Sequence, residues 1–173
     1  VFLYHRFDPD GGGSTNQIFV SVREHKPLTL RTAPLIFVST VATHLFGGSS
    51  GREGAALLLG GSVSGQLGRA LRLENRDCRL MTMCGMAAGF AALFGTPLTS
   101  VIFAMEVITV GVMHYSAIVP CIISALVAAG LSQAVGIAPT TFSIAHIPAA
   151  VGLENCFRAA VLGVLCAILS VLF

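Results

Sequence analysis

Apolar and charged positions are segregated into blocks along this chain. Residues 32–51, 80–105, 107–153 and 159–173 contain no Asp, Glu, Lys or Arg. A helix that crosses a membrane needs about 20 predominantly apolar residues. The first block predicts a helix over Thr32–Phe46 and the second a helix over Arg79–Phe94. The third is too long for one span, and Pro139 and Pro148 divide it, which leaves a helix over Ser116–Val135. The last block predicts a helix that begins near Leu153 and is still running at Phe173.

Two further segments are short. Residues 54–68 lack charge but hold five glycines, and residues 97–110 begin with Pro at a first helical turn. At 1.5 Å per residue neither comfortably crosses a hydrocarbon layer of about 30 Å. Short helices interrupted by Gly or Pro point to broken helices that end inside the protein at mid-membrane. Irregular backbone is tolerated there only when it is buried or lines a cavity. The segments around 97–110 and 116–135 are apolar nearly all round, which predicts burial against protein or lipid on every side.

Small residues recur at helical spacing: Gly60, Ser64 and Gly68 in one segment, Gly85 and Gly89 with Ala88 and Ala92 in another. Such faces let helices approach closely in lipid. For the first group, a backbone-lined pore wall is the alternative.

Composition agrees with this pattern. Of 173 residues, 54% are hydrophobic and only 10% charged. A soluble domain carries roughly a quarter of its residues as Asp, Glu, Lys and Arg. So few charges exclude a soluble enzyme domain and a disordered tail, and a net charge of +2 is too small for a nucleic-acid partner. The chain is therefore expected to be all-α, polytopic and embedded in a lipid bilayer. It opens at Val1 and closes at Phe173 inside an apolar run, so residues 1–173 are expected to be one transmembrane segment of a longer protein. Cys78, Cys84, Cys121, Cys156 and Cys166 form no CxxC pair and are expected to be small apolar thiols rather than metal ligands or disulfides.

The charges sit in connections. Arg69, Arg72, Arg76 and Arg79 fall within eleven residues between two apolar helices, which places that loop on the cytoplasmic side. Most of the loop arginines read as solvated charges. His114 and Tyr115, at a helix junction, read as interface anchors.

The chemistry concentrates in Gly47-Gly48-Ser49-Ser50-Gly51-Arg52-Glu53-Gly54. Arg52 and Glu53 are ionisable residues with apolar sequence on both sides, and an ionisable residue within a membrane segment is a functional hypothesis by default. A helix starting near Arg52 presents unpaired N–H groups and the positive end of its dipole, and both attract an anion. Gly51 and Gly54 allow close backbone approach. The Glu53 carboxylate can occupy the anion's place on those N–H groups, or leave when protonated, so one residue is both gate and proton carrier. That site is expected to be buried. A Gly-rich turn in which Arg52 and Glu53 merely pair with each other is the plainer alternative. A phosphate-binding P-loop is excluded, because Gly51 is not followed by Lys and then Ser or Thr.

The stretch GGSSGREG, followed by MAAGFAALFGTPLTSVIFAME over residues 86–106, resembles the CLC family of chloride channels and anion/proton antiporters. The family pattern is GREGP at one helix start, then AGxAAxFxxPLxGxxFxxE. The resemblance covers roughly residues 12–135. It implies a homodimeric membrane protein, in the cell membrane, built from inverted repeats, with a halide ion bound at mid-membrane and no other cofactor. It places Glu53 on the external gating glutamate and Gly51, Arg52, Gly54 and Ala55 along the anion path. Gly89, Phe94, Pro97, Phe103 and Glu106 fall on the second motif, with core packing the reading preferred for the two Phe.

The departures are informative. Ala55 stands where the family usually has Pro. The family's GSGIP loop has no clean counterpart. Its nearest region is residues 12–16, where Ser14 or Thr15 would donate a hydroxyl to the anion, or would simply form a polar turn. The internal proton-transfer glutamate would follow Glu106, and that position is Val107. Channels of the family lack that glutamate. So does the branch that exchanges fluoride for protons, which the sequence around GREG resembles most. Glu106 reads equally as a structural carboxylate that accepts backbone N–H bonds or as a transport residue. His44 reads as a buried ring bonded to a carbonyl, with a proton relay as its alternative. A hydrolase would need Ser49 or Ser50 with His44, without a supporting acid. A purely structural subunit leaves Glu53 unexplained.

Overall fold

The computed structural model describes residues 16–24, 31–49, 51–108, 114–137, 139 and 152–172. Among them every regular element is helical: α1 (Asn16–Glu24), α2 (Thr32–Leu45), α3 (Glu53–Ala70), α4 (Asn75–Phe94), α5 (Pro97–Glu106), a 3₁₀ turn (Tyr115–Ala117), α6 (Ile118–Ala134) and α7 (Leu153–Leu172). Helices α1 to α6 belong to one compact unit, residues 1–141, and α7 to a second, residues 142–173.

The helices follow the apolar blocks, although α5 ends at Glu106, short of the 97–110 segment, and two further differences stand out. α4 begins at Asn75, so Arg76, Asp77 and Arg79 lie inside its first turns. Freedom from charge marks the membrane-buried part of a helix, and the helix itself runs on into the polar interface. α1 was not predicted. Its Ile18 and Val22 are buried and lie four apart, one apolar face of a short helix.

Among the described residues, three helical segments are long and apolar enough to cross a membrane: Asn75–Phe94, Tyr115–Ala134 and Leu153–Leu172. α5 has 10 residues and is about 15 Å long, half of the hydrocarbon thickness. Pro97 occupies its first turn, and Gly95, at φ 67°, ends α4 just before it.

α4 is the central helix of the first unit, with α3, α5 and α6 packed on it. The α3–α4 contact is between glycines. A methyl group added at Gly60 would collide with the Gly85 carbonyl oxygen, and one at Gly85 with the Gly60 carbonyl oxygen and the Ser64 hydroxyl. One at Gly89 would lie 2.6 Å from the Ala56 carbonyl oxygen. Both small-residue groups therefore serve helix packing. Beside this contact lies a shallow apolar groove lined by Val63, Leu67, Met81, Ala88 and Ile123.

Serine hydroxyls tie α6 to α4. Ser124 Oγ donates to the Cys84 carbonyl at 2.9 Å and Ser132 Oγ to the Ala92 carbonyl at 3.1 Å. Both bonds join residues 40 apart, so α4 and α6 run parallel in fixed register. The thiols of Cys84 and Cys121 meet across the same interface at 3.8 Å, and both are free. Phe90 stacks on Phe103 at 4.9 Å and packs against Phe94 at 4.5 Å, so both motif phenylalanines pack against Phe90.

Within the chain, α5 and α6 are each covered on one face only. On α5, Ser100, Val101, Ala104 and Met105 are buried, whereas Leu98 and Ile102 are exposed. On α6, Cys121, Ala125 and Ala129 are buried, whereas Val119, Ile123, Leu126, Val127 and Leu131 are exposed. Each helix presents one face to α4 and leaves the other uncovered within the chain.

Candidate functional site

The GGSSGREG segment is the break between α2 and α3. Gly47 takes φ 74°, which a residue with a Cβ adopts only at a cost. Its N–H donates to the His44 carbonyl, and the Gly48 N–H reaches back to the Thr43 carbonyl at 2.8 Å. This paired closure is the Schellman motif, and it ends α2. The chain then leaves the helical path, and α3 begins at Glu53. The Ala56 N–H to Arg52 carbonyl bond, 3.0 Å, is its first helical bond.

The helix start thus falls where the sequence predicts it. Arg52, at the N-cap, makes no side-chain capping bond, and Glu53 stands in the first turn. The Glu53 carboxylate folds back over Gly51: a Cβ there would lie 2.9 Å from Oε2. Gly54 and Ala55 follow on the same turn and are half-buried. The structure therefore brings Gly51, Arg52, Glu53, Gly54 and Ala55 into one helix entrance.

Within residues 1–173 this helix entrance is uncovered. Gly51, Arg52 and Glu53 are exposed. The physical reason is the position of the α3–α4 contact. Its last close approach is at Ala56 and Gly89, and the first buried side chains of α3 are Leu57 and Leu58. The turn that carries Glu53 extends beyond the region α4 covers.

The other candidates are distributed elsewhere. Ser14 and Thr15 lie outside the described residues, as does Ser50. Glu106 is exposed on the last turn of α5, and Val107 beside it is half-buried against the apolar core. His44 is exposed, in contrast to the buried ring expected, but its Nδ1 lies 2.7 Å from the Thr40 carbonyl as the carbonyl-bonded reading requires.

A break between two apolar helices, an ionisable pair at a helix start and a short helix after it are features of a membrane protein built with broken helices. Comparison with known proteins makes this specific. Residues 1–173 match the family described as voltage gated chloride channel, and the chain belongs to that family. The match extends well past the residues that carry the motifs. A "Chloride/fluoride channel protein" of Pseudomonas syringae pv. tomato is 39% identical over 145 residues, 83% of this chain and 32% of that protein. The "H(+)/Cl(-) exchange transporter ClcA" of Vibrio cholerae is 32% identical over 108 residues, 61% of this chain and 23% of that protein. The crystal structure of a CLC-type fluoride/proton antiporter superposes with a TM-score of 0.80 at 33% identity, over 95% of this chain and 41% of that one. The chain spans a third or less of the length of these two curated relatives. The family is one of integral membrane transporters and channels, not of enzymes.

Proposed function

We propose that this chain forms the gating segment of a halide/proton antiporter, with fluoride or chloride as the anion. The observation that carries the reading is the α3 start, where Glu53 stands in the first turn and its carboxylate folds back over Gly51. In this mechanism a halide binds the N–H groups of Gly51 to Ala55 beside Arg52. The Glu53 carboxylate competes for the same place. When it takes up a proton it leaves the N–H groups and the anion enters. When it releases the proton it returns and displaces the anion. Val107 carries no acid that could relay a proton, so Glu53 alone handles it. The names of a chloride/fluoride channel protein and a fluoride/proton antiporter among similar proteins support fluoride as a cargo.

The second reading is a passive anion channel. It is favoured by the apolar Val107 and by the channel name of the Pseudomonas relative. In either reading the protein is a homodimer in the cell membrane. The uncovered apolar faces of α5 and α6, with Leu98, Ile102, Ile123 and Leu131, support such an interface.

The test is anion efflux from liposomes that contain the full-length protein, with proton movement recorded at the same time, for wild type and Glu53→Gln. Coupled fluxes in wild type and loss of proton movement in Glu53→Gln are expected, because a neutral amide carries no proton. Wild-type anion flux without proton movement gives the protein to the channel reading. Proton movement that persists in Glu53→Gln removes Glu53 as the carrier.

A further inference from the structure

A second polar cavity lies away from the Glu53 helix start. It has a volume of about 330 Å³ and is lined by Arg23 of α1, Arg76 and Arg79 of α4, and His114 and Ser116 before α6, over an apolar floor that includes Leu80 and Met83. Arg76 and Arg79 are among the loop charges that sequence alone reads as solvated. The fold instead gathers them with Arg23, from a helix some fifty residues earlier, around one space. Among the described residues no acidic side chain pairs with these three arginines. Glu74 and Asp77, their neighbours in sequence, are exposed and do not line the cavity. The Nε2 atom of His114 is buried and has no hydrogen-bond partner among the described residues. An unsatisfied buried nitrogen of this kind is destabilising until a partner arrives.

The level of the cavity in the fold narrows its ligand. The spans Asn75–Phe94 and Tyr115–Ala134 both begin at the cavity. They are parallel with an offset of 40 residues, and the same offset brings Arg76 level with Ser116. Tyr115, beside it, is 72% exposed, as an aromatic ring at the membrane–water boundary would be. Two helix N-termini therefore add their positive ends to three guanidinium groups at headgroup depth. The apolar floor residues Leu80 and Met83 lie one and two turns further along the same span than Arg76. A free anion in water has no use for that floor, whereas a headgroup attached to a glycerol backbone does.

We propose that this cavity binds the phosphate group of an anionic phospholipid. The guanidinium groups of Arg23, Arg76 and Arg79 hold the phosphate oxygens, the form of contact for which the planar arginine fork is suited. Leu80 and Met83 contact the apolar part of the lipid. Basic pockets between membrane helices on the cytoplasmic side are suited to such headgroups. The site is separate from the anion path, so lipid occupancy and anion transport are measured independently.

The experiment uses purified full-length protein in mild detergent, titrated with phosphatidylglycerol, phosphatidylcholine or inorganic phosphate, with bound lipid counted by native mass spectrometry. Two double variants remove the same two charges from the same region: Arg76→Gln with Arg79→Gln inside the cavity, and Arg69→Gln with Arg72→Gln outside it. Wild type and the outside variant are expected to hold phosphatidylglycerol equally, and the inside variant to bind it weaker by on the order of tenfold. Phosphatidylcholine should bind weakly to all three. If the inside variant misfolds, Arg23→Gln, on an exposed side chain of a different helix, gives the same reading. Equal phosphatidylglycerol binding by all variants, or equal weakening in both double variants, overturns the site. Inorganic phosphate that displaces the lipid at similar concentration assigns the cavity to free phosphate and overturns the lipid assignment.

Discussion

The Gly60 carbonyl oxygen and Gly85 share one contact in which neither residue has room for a side chain. Without water between them, membrane helices associate through dispersion contacts and packing, and a closer approach brings more atoms into range. Gly85→Ala places a methyl group against the Gly60 backbone and the Ser64 hydroxyl, and the backbone cannot swing aside. Overpacking of this kind costs about 1–3 kcal/mol. Thermal unfolding of the full-length protein should show a lower Tm for Gly85→Ala. Gly130→Ala is the contrast, because nothing lies within 4 Å of an added Cβ there. It should raise the Tm, since Ala is favoured over Gly in a helix by about 1 kcal/mol.

The two serine bonds between α4 and α6 yield a second prediction. Ser124 and Ser132 each donate to a carbonyl of α4, and the bonds are two turns apart. A hydrogen bond between membrane helices is worth about 0.6 kcal/mol on average and at most about 1.7. Ser124→Ala and Ser132→Ala should each lower stability by that order, and the double variant by close to the sum. A double variant no less stable than either single one would mean the register is set by packing alone.

A third prediction concerns a helix end. α2 and α6 close on Gly47 and Gly136, with φ of 74° and 79°. α3 closes with the same bonding, Arg72 N–H to the Arg69 carbonyl and Leu73 N–H to the Gly68 carbonyl, but the left-handed residue is Arg72 at φ 55°. A side chain in that conformation costs about 1–2 kcal/mol. Arg72→Gly removes the strain at some cost in unfolded-state entropy, so a net stabilisation of about 1 kcal/mol or less is expected. A rise in Tm without a change in anion flux is the outcome to look for.

The apolar blocks located most helices within a residue or two, because lipid-facing and core-facing positions must both be apolar. They missed the start of α4, since Arg76 and Arg79 extend a helix beyond its apolar part. They also missed α1, where only Ile18 and Val22 carry the signal over nine residues. At the candidate site, the Gly-rich break and the helix start at Glu53 were legible from GGSSGREG, because Gly47 and the acid in the first turn have local causes. How far α4 covers the turn of Glu53 was not legible, since that depends on where α3 meets α4, which is set by Gly60 and Gly85 further along the helix. The serine acceptors were equally hidden. A Ser on an apolar helix announces a hydrogen bond but not its partner. The basic cavity needed three dimensions as well, because Arg23 and Arg79 are adjacent only after folding.

The last prediction separates the position of the Glu53 carboxylate from its charge. The carboxylate folds back over Gly51, and a methyl group there would lie 2.9 Å from Oε2. Gly51 is outside α3 and is not among the positive-φ glycines, so Gly51→Ala leaves the backbone unstrained. The carboxylate is the end of a flexible side chain and moves to another rotamer, which costs on the order of 1 kcal/mol. If Glu53 and a halide compete for the α3 N–H groups, displacing the carboxylate favours the halide. Halide affinity of full-length Gly51→Ala, measured by calorimetric titration with fluoride and with chloride, should then rise a few-fold, about the factor that 1 kcal/mol represents. Proton coupling should survive, because the acid is still present. In Glu53→Gln the charge is gone and coupling is lost, whatever the affinity. Unchanged or weaker halide binding in Gly51→Ala would mean that the carboxylate and the anion occupy different places, and the single-residue exchange at Glu53 would have to be abandoned.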